Sequence, residues 1–182
     1  MSQLFETHQW VPFPVELVFA FFANPHNLAH LMPPALKTRV EDVRLAPAPA
    51  RPVAADPARR FQSLAAGVGT EILVSFKPIG WGPRVSSLHR IVEFEWMSHF
   101  VDEQVRGPFE QFRHRHGIEA EVRDGVEGTL VSDQVELDLK GGVLGGLGAG
   151  VVRRQMELAF AHRQKRLPEI LEAAARQAVR RS

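Results

Sequence analysis

Apolar and polar residues follow no single period along this chain, and each change of period marks an element. Residues 2–10 alternate weakly and predict a short strand. After Pro14 the apolar residues Val15, Val18, Phe19 and Phe22 recur at helical spacing, giving one apolar face. Pro14 suits a helix start because its missing N–H would be unpaired there anyway. Asn24-Pro25 ends that helix and opens a second short one, with Leu28, Leu31 and Met32 inward, which Pro33-Pro34 stops. Leu36 to Leu45 reads as a strand. Further strands are predicted at about 69–77, 83–94 and 97–106, set off by Gly80, Gly82-Pro83 and Gly107-Pro108. Two more flank Asp124-Gly125, a dipeptide that accepts the positive φ of a tight hairpin. At the end of the chain Val152, Met156, Ala159, Phe160, Arg163, Leu167, Ile170, Leu171, Ala174 and Ala178 trace one stripe at helical spacing. They predict a long helix that Pro168 should kink or divide.

The order is strand, two short helices, six strands and a long helix. The short connections make neighbouring strands antiparallel. A curved sheet of this size needs its concave face covered, and only the last helix is long enough. The expectation is an α+β fold in one domain, residues 1–182, with a pocket between sheet and helix. Residues 46–62 are rich in proline and alanine and read as an exposed loop.

The hairpin at Asp124-Gly125 sorts the chemistry by face. It sets His116 opposite Asp133, His114 opposite Val135, Phe112 opposite Leu137 and Ile118 opposite Val131. One face then carries Phe112, His114, His116, Ile118, Ala120, Val131, Asp133, Val135, Leu137 and Leu139. The other is polar throughout, from Arg113 and Arg115 to Glu136 and Asp138. Three polar groups therefore stand on an apolar wall and must find partners, since an unpaired buried polar group costs roughly 1–3 kcal/mol. Directly opposed side chains are close enough for His116 to touch Asp133.

Four readings of that trio remain open. It is a satisfied structural pair with His114 bonded to a neighbour, a set of polar anchors in an apolar pocket, an acid–base pair with His116 as base and Asp133 as its orienter, or part of a metal site with His89 or His99 as third ligand. Composition narrows the rest. A chain of 182 residues with 45% hydrophobic residues can bury a core. A net charge of +1 argues against a nucleic-acid partner. The absence of cysteine removes disulfides and thiolate chemistry. The run Val15 to Ala23 is too short to span a bilayer and the first residues form no signal peptide, so a cytoplasmic protein without stable membrane insertion is expected. No oligomeric state follows from the sequence.

Two motifs invite other readings. GGVLGGLGAG (141–150) contains a glycine pattern like a dinucleotide fingerprint, but only a helix follows it where a parallel strand would be needed. A flexible hinge at the pocket mouth is the reading adopted. The excess of Arg and Lys after Val151 is read as a solvated helix face.

The block FVDEQVRGPFEQFRHRH (100–116) resembles a segment found in a bacterial subgroup of the SRPBCC superfamily, the START and polyketide-cyclase-like ligand-binding proteins. VPFPVELVFAFFANPHNLAHLMPP (11–34), GTLVSDQVEL (128–137) and VRRQMELAFAHRQKRL (152–167) are similar too. The resemblance implies a helix-grip fold, a seven-stranded curved antiparallel sheet wrapped around the C-terminal helix, with an apolar cavity between them. It implies a small hydrophobic molecule as partner. With the strand parity, that places Phe112, His114, His116, Ile118, Asp133, Val135, Leu137, Met156 and Phe160 in a ligand-binding wall. No cofactor or metal is called for. The alternative is a cyclase or dehydratase in which His116 and Asp133 are catalytic.

Overall fold

Asp124 and Gly125 turn the chain with φ of 50° and 78°, the positive values a two-residue hairpin of this kind requires. They join the two longest strands, β6 (Phe109–Arg123) and β7 (Val126–Leu139). The expected pairs are all observed: Phe112 with Leu137, His114 with Val135, His116 with Asp133 and Ile118 with Val131. The computed structural model describes residues 3–56, 59–61, 63–78, 81–140 and 142–179, with side chains outside 142–149 and 177–179.

Five further strands complete one antiparallel sheet: β1 (Gln3–Val11), β2 (Arg39–Arg44), β3 (Glu71–Phe76), β4 (Val85–Glu95) and β5 (His99–Arg106). The spatial order is β1-β7-β6-β5-β4-β3-β2. Strands β2 to β7 are a meander, and β1 closes the far edge against β7. The chain must therefore travel from one edge of the sheet to the other between β1 and β2. It does so through α1 (Val15–Phe22), a 3-10 turn at Pro25–Asn27 and α2 (Leu28–Leu31). Asn24 caps the 3-10 turn by accepting from the His26 N–H at 3.1 Å.

The last element, α3 (Gly142–Val179), lies across the sheet. Its two halves meet different surroundings. Leu167 and Leu171 are fully buried in one cluster with Val11, Val18, Phe19, Ile118 and Val131. This part of the concave side is solid core. One turn earlier, Arg163 and Phe160 lie over polar groups of the sheet.

Several expectations change. The glycine run from Gly142 to Gly150 is helical backbone, the first turns of α3, where a hinge was expected. Once a helix covers a sheet, tertiary packing can outweigh the cost of glycine in its first turns; position 141 lies outside the described residues. Pro168 does not divide α3, which runs through it as one element. The strand expected from Leu36 begins at Arg39, because Pro34–Leu36 form a 3-10 turn and Lys37 takes a left-handed φ of 47°. Ala120, expected on the inner face, is exposed. Two described residues of the 46–62 segment meet Trp96: its indole donates to Pro49 O at 2.9 Å, and the Arg51 guanidinium lies 4.6 Å from the centre of its ring.

Candidate functional site

Strand alternation directs His114, His116 and Asp133 to the helix side, as expected from the hairpin. The partners differ from those expected. His114 Nε2, not His116, makes the hydrogen bond to Asp133 Oδ1, at 2.9 Å. His116 Nδ1 lies 3.3 Å from the same oxygen without forming a hydrogen bond, and its Nε2 lies 3.2 Å from Asp102 Oδ1. The two imidazoles pack against each other, tilted by 36°, with centroids 3.7 Å apart. His116 also stacks on Phe100 at 4.3 Å.

Asp102 was not foreseen. Its strand offered apolar residues at both parities, so its inward face could not be chosen from the pattern. The structure resolves it through the β5–β6 ladder, which pairs Asp102 with His114 and Phe100 with His116 and so turns both to the helix side. His89 then reaches Asp102 diagonally, with Nδ1 2.7 Å from Oδ2. Its Nε2 lies 2.8 Å from the Ser87 hydroxyl. Serine, histidine and aspartate are thus connected as in a nucleophile relay. The hydroxyl, however, is buried and also donates to the Gln104 side-chain Oε1 at 3.3 Å. His99 is not part of the cluster; it meets Ser98, Glu93 and Glu95.

Arg163 was also missed as a site residue, although the sequence carried a signal. It interrupts the apolar stripe of the last helix, and a charge at an inward position needs a carboxylate. It grips both oxygens of Asp133, Nη1 to Oδ1 at 2.8 Å and Nη2 to Oδ2. Of the other cations on α3, Arg153, Arg154, Arg166 and Arg176 form exposed pairs with neighbouring glutamates.

Proton affinities in the cluster diverge. Burial opposes ionisation of Asp133, but the Arg163 charge, the hydrogen bond from His114 and the close His116 ring hold its pKa well below the usual carboxylate range. Asp102 behaves alike: burial is outweighed by hydrogen bonds from His116 and His89. Burial also works against a charged His116, yet the two carboxylates raise its pKa. His114 goes the other way, because burial and the neighbouring His116 together exceed the pull of Asp133. The arrangement keeps two carboxylates ionised among aromatic rings, with one imidazole pushed towards charge and its neighbour towards neutrality.

The remaining residues of the expected wall divide. Phe112 packs edge-on to His89 at 5.3 Å and Phe160 lies 5.9 Å from His114. Phe22, from α1, lies 6.4 Å from His116 and under the Arg163 guanidinium. Val135 and Leu137 are buried strand residues, and Ile118 belongs to the solid core. Met156 lies on α3, half-buried. One open depression, about 400 Å³, lies away from this place and is bordered by His26, Val40, Asp42 and Leu64. Another, about 310 Å³, is bordered by Thr7, His8, Arg115, Ser132 and Asp133, so it touches the cluster only at Asp133. Beneath the helix, the His114 and His116 side chains keep 14% and 13% of their surface accessible.

Solved structures share this architecture end to end. The protein TTHA0849 from Thermus thermophilus superposes with a TM-score of 0.57 at 19% identity, over 94% of this chain and 99% of that one. Ara h 8.0201 gives 0.55 at 17% identity, over 91% and 97%. The chain has the helix-grip fold of START- and Bet v 1-like proteins. CV1439 from Chromobacterium violaceum gives 0.59 at 15% identity, over 93% and 96%. No protein-family model matches the sequence, and no curated protein does. The helix-grip arrangement explains why the cluster faces α3: the concave side of the sheet is the side that the helix covers. Among the described residues no helix is long and apolar enough to cross a membrane.

Proposed function

We propose that the protein binds a small hydrophobic or amphipathic molecule between the sheet and α3, with the ligand's polar end at the histidine–aspartate cluster. The observation that carries this reading is the partial exposure of His114 and His116 beneath the helix, inside a ring of Phe22, Phe100, Phe112 and Phe160. Ligand sites are mostly apolar with a few placed polar groups, and this is such a set. Phe112 and Phe160 are half-buried, so they are the side chains that yield to a ligand. Native mass spectrometry of the purified chain, followed by denaturing extraction, tests the reading. A co-purifying apolar compound, and loss of its binding in Phe160→Asp, support it. A chain that retains nothing and binds no fluorescent apolar probe refutes it.

A second reading rests on the opposite shifts of the two imidazoles, a pattern that assigns an acid and a base. For the cyclase or dehydratase-like reaction the sequence suggested His116 as base; the opposite shifts favour His116 as the acid and His114 as the base, with Asp133 orienting His114. His116→Ala separates the readings: turnover lost with affinity kept favours catalysis, and affinity lost without turnover in either form favours carriage.

A further inference from the structure

The cluster that the proposed ligand would meet also carries a donor set suited to a metal ion. We propose that Asp102, His114 and His116 form a site for one divalent transition-metal ion of the zinc or cobalt class. One donor atom from each residue lies within 4.8 Å of those of the other two. Donors around a single ion of this class stand roughly 3.4 Å apart, given metal–ligand bonds of about 2.1 Å. His116 Nε2 and Asp102 Oδ1 already meet that spacing at 3.2 Å. Closing the rest of the set, from at most 4.8 Å, takes a movement of up to about 1.4 Å, within reach of a side-chain adjustment.

The outer contacts point to the same assignment of atoms. Metal-bound imidazoles regularly donate their other ring N–H to a carboxylate, which fixes tautomer and orientation. Asp133 Oδ1 lies 2.9 Å from His114 Nε2 and 3.3 Å from His116 Nδ1. That leaves His114 Nδ1 and His116 Nε2 as the ligating nitrogens. His116 Nδ1 is buried and makes no hydrogen bond as the side chains stand. A ligated ring turned slightly towards Asp133 would complete that bond. Arg163 in turn holds Asp133 and balances its charge. Asp102 Oδ2 is held by His89, leaving Oδ1 for the ion. Every ligand thus has an outer partner, and every outer partner is itself anchored. His89 takes part as such a partner, with both ring nitrogens already engaged by Asp102 and Ser87.

Two imidazoles and one carboxylate suit zinc and its neighbours, whereas magnesium and calcium prefer all-oxygen sets. Three protein ligands leave a coordination position for water or a ligand atom, the hallmark of a reactive site and not of a structural one. The ion would sit where the proposed ligand's polar end is placed, and its open position would receive that end; metal analysis and solvent extraction still read the two separately, so either can fail without the other.

The test uses the full chain produced without a polyhistidine tag. Metal content is measured by plasma mass spectrometry. The chelator-treated protein is then titrated with Co(II) and followed by its visible absorption. One equivalent bound per chain is expected, abolished in Asp102→Asn and in His116→Gln. His89→Gln should weaken binding about 10–100-fold, the usual effect of losing an outer partner, and His8→Gln should leave it unchanged. Imidazole nitrogen NMR of the wild-type chain with Zn(II) gives a readout that no variant's folding can confound: the His114 and His116 ring signals should move. The proposal is overturned by a wild-type chain that binds no Co(II) or Zn(II) stoichiometrically, by binding that survives both ligand substitutions, or by movement confined to other histidines.

Discussion

Arg163 on the last helix and Asp133 on the last strand form a two-point ion pair in which the carboxylate is 2% exposed and the arginine 7%. The pair joins the two elements that the fold must bring together, and it lies against both histidines of the cluster.

Arg163→Met leaves Asp133 buried with only imidazole partners. Breaking one side of a buried pair costs about 3–5 kcal/mol, and urea denaturation should show a loss of that order. Because the two residues act through each other, Asp133→Asn combined with Arg163→Met should cost less than the sum of the single changes. Strict additivity would show that the pair contributes little.

The cluster sets the pH dependence. Asp102 and Asp133 have folded pKa values below their unfolded ones. Their contribution is complete above about pH 4 and is lost as pH falls through the folded values. His116 has a raised folded pKa, so its contribution is complete below about pH 6.5 and fades as pH rises through the folded value. His114 is lowered and has the opposite sign: its contribution is present above about pH 6.5 and is lost on acidification. Thermal melts across pH should fall on the acid side below pH ~4. His116→Gln should remove the alkaline decline and leave the acid one.

Gly128→Ala should destabilise the hairpin end of the sheet. A Cβ there would meet the Trp10 ring at 2.3 Å and Val11 O at 2.6 Å, a side chain and a backbone atom that are both fixed. Overpacking of this kind costs about 1–3 kcal/mol. Gly125→Ala meets no atom but keeps a φ of 78°, so its cost is backbone strain alone. Comparing the two melting temperatures distinguishes crowding from strain.

Trp96→Phe removes the indole donor that holds Pro49 and weakens the platform under Arg51. Trypsin should cut the 46–62 loop faster at Arg59 or Arg60, while global stability falls by only about 1 kcal/mol. Unchanged cleavage would mean that other contacts secure the loop.

Local rules in the chain account for the element order, the turn at Asp124-Gly125 and the face to which His114, His116 and Asp133 belong. A two-residue turn sets the register, and the register sets which side chains share a side. The chain also held an unread signal, the arginine inside an apolar helical stripe. The rest depended on contacts between distant segments. Asp102 faces inward because the β5–β6 ladder pairs it with His114, and His89, opposite Gln104, reaches it diagonally. Phe100 and Val101 are both buried, so the pattern of β5 alone selects neither parity. The glycine-rich segment continues α3 as helical backbone, which its composition does not favour. Register and parity are properties of one or two neighbouring strands, whereas bulges and helix docking are settled by the free energy of the whole packed layer.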